Sequence, residues 1–149
     1  MNPHQSKHLH HVLFKTLKAH RTICHEQFTK LDLTVGQPKI LDFLCEHNGC
    51  SQKELAKHCH IEPATATSLL GHLERNGLIY RQANDRDRRV LNVYLTDEGK
   101  NRQHMVQKVF EQIDEDSFKG FTEEEKAKTV EYLNRICQNL KGRESQHDE

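Results

Sequence analysis

One short stretch of the chain carries four polar residues at the spacing of a single helix face. Thr65, Ser68, His72 and Arg75 follow one another at steps of three, four and three residues, which matches the helical period. Their hydroxyl, imidazole and guanidinium groups can form hydrogen bonds with base edges when a helix lies in the major groove of DNA. The stretch therefore predicts a helix face that reads bases, with Thr67 beside it.

A second group of charged residues lies shortly after this stretch. Arg86, Arg88 and Arg89 occupy a polar tip between two β-favouring segments. Guanidinium groups have long reach and a fixed charge, which suits the negative potential of a narrow minor groove. Asp87 precedes Arg89 by two residues, so its carboxylate can hold that guanidinium through paired hydrogen bonds. The alternative is a charged tip that only keeps a hairpin soluble.

Hydrophobic periodicity and cap residues predict the elements that position these two groups. Ser51 and Glu54 form a capping box at the start of one helix, and Pro63 suits the first turn of the next. The pattern predicts, in chain order, a long helix between His8 and Leu31, a second from Pro38, a short third from Ser51, a fourth from Pro63 to Asn76, strands at 78–80 and 90–95, a fifth helix beyond Thr96 and a sixth from Thr122.

Two short helices joined by a tight connection and followed by a hairpin make a winged helix-turn-helix. The predicted fold class is therefore mainly α with a small β-hairpin. In this arrangement the second helix of the pair presents its polar face to the major groove of DNA, and the hairpin forms the wing.

Composition sets the broad class of the protein. The chain has 149 residues, of which 34% are hydrophobic and 30% charged, and no window approaches the apolar run of roughly 18 residues that a membrane span needs. The first residues resemble neither a secretion signal nor a transit peptide. We expect a cytoplasmic protein with no membrane partner.

The overall charge is balanced, but its distribution is uneven. The segment from Arg75 to Arg89 contains five arginines and two aspartates. The segment from Glu111 to Glu149 contains eleven acidic residues and six Lys or Arg. A basic segment followed by an acidic one fits a DNA-reading element joined to a part that does not touch DNA. Ordinary solvated surface is the alternative on charge alone.

The chain resembles the MarR family, named for multiple antibiotic resistance regulators. The resemblance covers Leu33 to Gly99, and the flanking helices match in pattern only. Its motifs are Leu33-Thr34 with Gln37, Glu54-Leu55-Ala56, Leu73-Glu74-Arg75-Asn76-Gly77-Leu78-Ile79, Arg81, Asp87-Arg88-Arg89 and Leu95-Thr96-Asp97-Glu98-Gly99. Glu62 departs from the family pattern, which usually has a better helix cap before the recognition helix.

The resemblance implies a homodimer whose first and last helices intertwine. It also implies a repressor, because members of this family are mostly repressors that phenolic ligands, oxidants or metals release from DNA. We expect residues 1–31 and 100–141 to form dimerisation helices, 33–99 the DNA-binding domain and 142–149 a disordered tail. The expected partners are double-stranded DNA on a pseudo-palindromic operator, a second copy of the chain and a small-molecule effector. The candidate DNA-binding residues are Ser51, Gln52, Thr65, Thr67, Ser68, His72, Arg75, Arg86, Asp87, Arg88 and Arg89.

Five cysteines without a repeating pair pattern argue against a disulfide framework, so we expect reduced thiols. Cys24, next to His25, is the first candidate for a redox sensor, but an inert thiol is the favoured interpretation. A group of thiols and imidazoles lies at residues 45–60 without zinc-finger spacing, and His8, His10 and His11 lie near the N-terminus. We expect no metal site at either.

No nucleophile with its base, phosphate-binding glycine loop or converging carboxylate pair is recognisable, so we expect neither an enzyme nor a cofactor. Two further alternatives stay open: a thiol- or metal-sensing regulator of the same fold, and a winged-helix module that binds protein without binding DNA.

Overall fold

The computed structural model describes residues 6–144. Six α-helices and two β-strands lie within that range, in the predicted order: α1 Leu9–Thr29, α2 Gln37–Glu46, α3 Gln52–His58, α4 Pro63–Arg75, β1 Ile79–Ala83, β2 Leu91–Leu95, α5 Asp97–Ser117 and α6 Glu123–Glu144. The chain divides into two compact units, one ending at Ile113 and the other beginning at Asp114. Within residues 6–144, every helix is too short or too polar to cross a lipid bilayer.

The hydrophobic core of the first unit lies among α2, α3, α4 and the hairpin. Each of these elements contributes side chains with no measurable exposure, because its apolar residues recur on one face. The fully enclosed side chains are Ile40, Leu41, Leu44, Leu55, Ala66, Leu70, Leu73 and Val93, together with Val106 of α5. Burying a side chain of this size contributes about 1.5–3 kcal/mol relative to exposure, so this set fixes how α4 sits on the domain.

Cap residues begin and end the helices as the sequence predicts. The Ser51 hydroxyl accepts a hydrogen bond from the Glu54 amide at 3.1 Å, and the Glu54 carboxylate accepts one from the Ser51 amide at 3.4 Å. This reciprocal pair is the predicted capping box. Thr122 and Glu125 form the same arrangement before α6. After α4, Gly77 has φ +74, the left-handed conformation that glycine adopts without strain.

The two strands form an antiparallel hairpin in which Ile79 pairs with Leu95 and Ala83 with Leu91. β1 begins at Ile79 and continues past the predicted end at residue 80, because pairing with β2 extends through residues 81–83. Ala83 therefore belongs to the strand and not to the tip. The other edge of β2 pairs with the α2–α3 connection, where the Val93 amide donates to the Cys50 carbonyl at 2.9 Å. Both edges of β2 are thus held by backbone hydrogen bonds.

The apolar faces of α1 and α6 are largely uncovered. In α1 Phe28 is the buried residue, and Phe14 is 70% exposed. The other large apolar side chains exposed on these two helices are Leu9, Val12, Leu17, Ile23, Val130, Tyr132, Leu133 and Leu140. Helix α6 continues to Glu144, three residues beyond the Lys141 after which we expected a disordered tail. Residues 145–149 of that expected tail lie outside the described residues.

The start of α5 lies directly against the backbone that follows α4. A Cβ added at Gly99 would lie 1.8 Å from the Leu78 carbonyl oxygen, so a side chain here forces helix and backbone apart. We predict that Gly99→Ala lowers the free energy of unfolding by about 3 kcal/mol or more, measured by urea denaturation. Gly142→Ala is the matched control, because nothing lies within 4 Å of a Cβ at that position in α6. Equal stability of the two variants would contradict the packing described here.

Candidate nucleic-acid interface

Helix α4 presents the predicted polar face to solvent. Ala66, Leu70 and Leu73 are fully buried, and the residues on the opposite side are exposed: Thr65, Thr67, Ser68, His72 and Arg75. The arrangement follows from the period of the helix, since an apolar stripe that packs inward leaves the remaining positions outward. The predicted base-reading residues therefore lie together on one exposed surface.

The N-terminus of α4 has no side-chain cap. Glu62 occupies the N-cap position in an extended conformation and forms no capping hydrogen bond, while Pro63 occupies the first turn. Helix α4 thus lacks the side-chain cap that the resemblance implies at this position. Proline at this position is preorganised for the helix and lacks an N–H group that would need a partner.

On the exposed face of α4, Arg75 and His72 contact each other. Nη2 of Arg75 lies 2.9 Å from Nδ1 of His72. Because a guanidinium group can only donate hydrogen bonds, Nδ1 is the acceptor in this contact. The imidazole proton then resides on Nε2, where it is available to a hydrogen-bond acceptor outside the protein. Base acceptors in the major groove have this chemistry.

A hydrogen-bonded chain joins α3, α4 and the wing through Arg81. Its guanidinium donates to both carboxylate oxygens of Glu74, at 3.1 and 3.2 Å, and to Oε1 of Gln52 at 3.4 Å. The Gln52 amide in turn donates to Oγ1 of Thr67 at 2.9 Å. The oxygen and the nitrogen of the Gln52 side chain thus both form hydrogen bonds within the protein. Through these bonds, Gln52 and Thr67 help to hold α4 in place.

From the sequence, we expected Arg81 in the basic segment but not among the site residues. The partners of Arg81 lie 7 and 29 positions away along the chain, and no periodicity connects a strand residue to two helices. The only sequence signal was its place in the family motif. The hydroxyl of Ser51, another predicted DNA-binding residue, already accepts the cap hydrogen bond of α3.

The wing tip holds Arg89 in the predicted way. Oδ1 of Asp87 accepts hydrogen bonds from the Arg89 amide and from Nε, each at 3.1 Å, and Oδ2 accepts from Nη2 at 3.2 Å. These hydrogen bonds lower the pKa of Asp87. The Arg89 side chain remains 90% exposed, so it is oriented without being covered. Arg86 and Arg88 are exposed on the same tip.

Two imidazoles of the group at residues 45–60 stack with Phe43. Phe43 lies 4.2 Å from His47 and 5.5 Å from His58, centroid to centroid. Burial raises the pKa of Cys50 to about 11 and raises that of Cys59, so both thiols are protonated near neutral pH. Among the residues the structure describes, no group of three or more His, Cys, Asp or Glu side chains has the geometry to hold a metal ion.

A large open cavity lies between α1, the start of α2 and α5. It measures about 860 Å³, which is within the range of small-molecule sites. Apolar walls come from residues on all three sides, including Phe28, Leu33 and Phe110. The cationic side chains that line the cavity are Arg21 and Lys39, and the imidazoles of His20 and His25 line it as well.

The helix pair α3–α4 followed directly by the two-stranded hairpin defines a winged helix-turn-helix protein. Comparison with known proteins gives a more specific result. The model of the MarR family matches residues 33–91. The chain is 30% identical over 131 residues to the HTH-type transcriptional repressor YetL of Bacillus subtilis, covering 86% of this chain and 78% of the relative.

Two solved structures share the fold over nearly the whole chain. A MarR family regulator from Listeria monocytogenes in complex with a 26mer DNA has a TM-score of 0.83 and 26% identity, covering 91% of this chain and 90% of that one. BpsR of Bordetella bronchiseptica has a TM-score of 0.80 and 25% identity, covering 92% and 98%. The chain belongs to the MarR family of transcriptional regulators.

The Glu74–Arg81 ion pair makes stability depend on pH. Hydrogen bonds from Arg81 lower the pKa of Glu74 below the unfolded value of about 4.3. The pair is therefore stabilising above that value, and its contribution is lost as the pH falls through the folded pKa. We predict that Glu74→Gln lowers the free energy of unfolding near neutral pH by less than about 1 kcal/mol, the range of exposed pairs, and that the difference vanishes in acid.

Denaturant titrations at several pH values measure this difference. Glu131→Gln, at an exposed position of α6, is the matched control and should show no such dependence. A Glu74→Gln effect that persists unchanged at acidic pH would mean that the ion pair is not its source.

Proposed function

We propose that this protein is a sequence-specific DNA-binding repressor of transcription that acts as a homodimer on a pseudo-palindromic operator. The observation that carries the proposal is the exposed face of α4, on which Ser68, His72 and Arg75 lie together while the opposite face is buried. The Listeria monocytogenes relative in complex with a 26mer DNA and the repressor YetL support the same function. The role is regulatory and not enzymatic, and we place it in the cytoplasm.

In this proposal α4 lies in the major groove. A helix fits that groove, and hydroxyl, imidazole and guanidinium groups on its outer face reach base edges. His72 offers an Nε2–H donor because Arg75 occupies its other nitrogen. A donor at this position favours bases with an acceptor in the major groove, such as guanine or the N7 of adenine.

The wing contacts the minor groove beside the major-groove site. Arg89 is exposed, positively charged and held by Asp87, so little side-chain freedom remains to be lost on binding. A narrow minor groove attracts guanidinium groups through its negative potential, with little dependence on base identity. The two elements thus have different roles, since α4 selects the sequence whereas Arg89, Arg86 and Arg88 add affinity.

Ligand binding in the cavity beside α1 would supply regulation. The cavity adjoins both α1 and the start of α2, so an occupant contacts the expected dimerisation helix and the DNA-binding domain at once. The structure of BpsR concerns regulation of its DNA binding by 6-hydroxynicotinic acid. A small-molecule effector for the present chain is proposed on the same basis.

We predict that Arg89→Ala weakens operator binding by about 1–3 kcal/mol per half-site and reduces the dependence of affinity on salt, because a groove and phosphate contact is lost. The fold should survive, since Arg89 is exposed. Fluorescence anisotropy over a range of salt concentrations measures both quantities. His72→Ala is the contrasting variant and should change which bases are preferred more than it changes the salt dependence.

Lys119→Ala is the charge-matched control, because it removes one positive charge from an exposed position before α6. It should leave affinity and salt dependence at their native values. A folded Arg89→Ala protein that binds its operator like the native protein, or a Lys119→Ala protein that binds equally weakly, would overturn the assignment of the wing.

We predict a homodimer, because α1 and α6 expose more apolar surface than a stable monomer tolerates. Light scattering at micromolar concentration should give about twice the chain mass of 17.5 kDa. Replacing the exposed Leu17 and Phe14 of α1 by glutamate should shift the protein toward the monomer, whereas the same change at the exposed Val35 outside the helices should not. A native mass of one chain would refute the dimer.

A further inference from the structure

The thiol of Cys24 lies beside an imidazole on the same face of α1. Its Sγ atom is 3.6 Å from Nδ1 of His20 and 4.0 Å from Nε2. Residues four positions apart share one face of a helix, so the helix itself holds the two groups together. An imidazole at this distance can take the thiol proton and leave the thiolate, which is the reactive form of cysteine.

Cys24 and His20 both line the cavity of about 860 Å³ between α1, the start of α2 and α5. Arg21, His25 and Lys39 line the same cavity, and Glu26 is the acidic residue among its lining side chains. Nearby cationic groups favour a thiolate over a neutral thiol. A molecule bound in the cavity would therefore meet a nucleophile in a positive environment.

The thiols of Cys50 and Cys59 provide an internal contrast. Burial raises the pKa of Cys50 to about 11, and it raises the pKa of Cys59 as well. Those thiols stay protonated and unreactive near neutral pH. The Cys59 thiol donates to the backbone carbonyl of Lys39, whereas Sγ of Cys24 lies 3.6 Å from an imidazole nitrogen and the residue lines an open cavity.

We propose that Cys24 is a covalent modification site for soft electrophiles, specifically α,β-unsaturated carbonyl compounds with an apolar body. The thiolate sulfur attacks the β-carbon, and a C–S bond forms as the carbon–carbon π bond breaks to give an enolate. The proton taken by His20 then passes to the α-carbon of the adduct. Atoms and electrons balance, and no oxidant or reductant is required.

The size and lining of the cavity favour this substrate class over peroxide. Apolar walls that include Phe28, Leu33 and Phe110 suit a carbon skeleton, and hydrogen peroxide would use almost none of that surface. Cys24 is the one cysteine among the described residues that line the cavity. A disulfide within the cavity is therefore unavailable as a product, whereas a thioether is.

The adduct also has a regulatory consequence, which rests on the proposed DNA-binding function. Cys24 belongs to α1, and the cavity is also lined by Thr34 and Val35 of the α1–α2 connection and by Pro38 in the first turn of α2. α2 contributes Ile40, Leu41 and Leu44 to the core on which α4 packs. A covalent occupant between the two helices therefore changes the fit between α1 and the DNA-binding domain, and DNA affinity falls.

The test uses N-phenylmaleimide, a conjugate acceptor with an aromatic body, on the full chain with Cys45→Ser and Cys137→Ser to remove the two exposed thiols. Intact mass and peptide mapping follow the adduct over time. Cys24 should react at least about tenfold faster than Cys50, because an imidazole lies beside its thiol whereas burial raises the pKa of Cys50. His20→Gln should slow the reaction at Cys24 about tenfold without changing the rate at Cys50, and Cys24→Ser should remove the fast phase.

Reaction at Cys50 or Cys59 before Cys24, or an unchanged rate in His20→Gln, would overturn the proposed site. Melting curves of the variants confirm that they are folded. Operator affinity is measured before and after modification, and the Cys24 adduct should weaken binding at least about tenfold. An adduct at Cys24 that leaves affinity unchanged overturns the regulatory consequence, whereas absence of DNA binding by the unmodified protein overturns the proposed function and leaves the modification site standing.

Discussion

The burial of the apolar stripe of α4 is the constraint on which the rest of the structure depends. Leu70 and Leu73 have no exposed surface and lie in one core with Leu55 and Val93. Rotating α4 about its axis would expose these side chains and bury polar ones, at a cost of several kcal/mol. Because the inner face cannot change, the outer face is determined too, and the side chains proposed to contact DNA are those that the core leaves exposed.

Arg81 extends this constraint from the helix to the wing. It is a β1 residue that donates to Glu74 of α4 and Gln52 of α3, while β2 pairs with the α2–α3 connection through Val93 and Cys50. The strands and both helices are therefore joined by polar contacts as well as by the core. At the tip, Asp87 holds Arg89 in the same way. The proposed reading of two grooves depends on these supports, since a preorganised surface loses less entropy on binding.

The sequence predicted the element order, the capping box at Ser51, the inner and outer faces of α4 and the Asp87–Arg89 pair, because each is set by residues close together in the chain. It underestimated β1, whose residues 81–83 are strand only through pairing with β2. It also missed the Arg81 contacts and the pairing of His20 with Cys24 at the cavity wall. The Arg81 contacts join segments that are distant in the chain. His20 and Cys24 are four residues apart, but many other pairs in α1 have the same spacing. Neither contact can therefore be recognised from the sequence pattern alone.

In the proposed complex, two copies of α4 and the wing read one DNA site together. Hydroxyl-radical footprinting and methylation protection on DNA that the protein selects from a random pool test this most directly. We predict guanine protection in two symmetric half-sites about 10 base pairs or one helical turn apart, with minor-groove protection beside each. Selection of no common sequence, or a single asymmetric protected site without minor-groove protection, would contradict it.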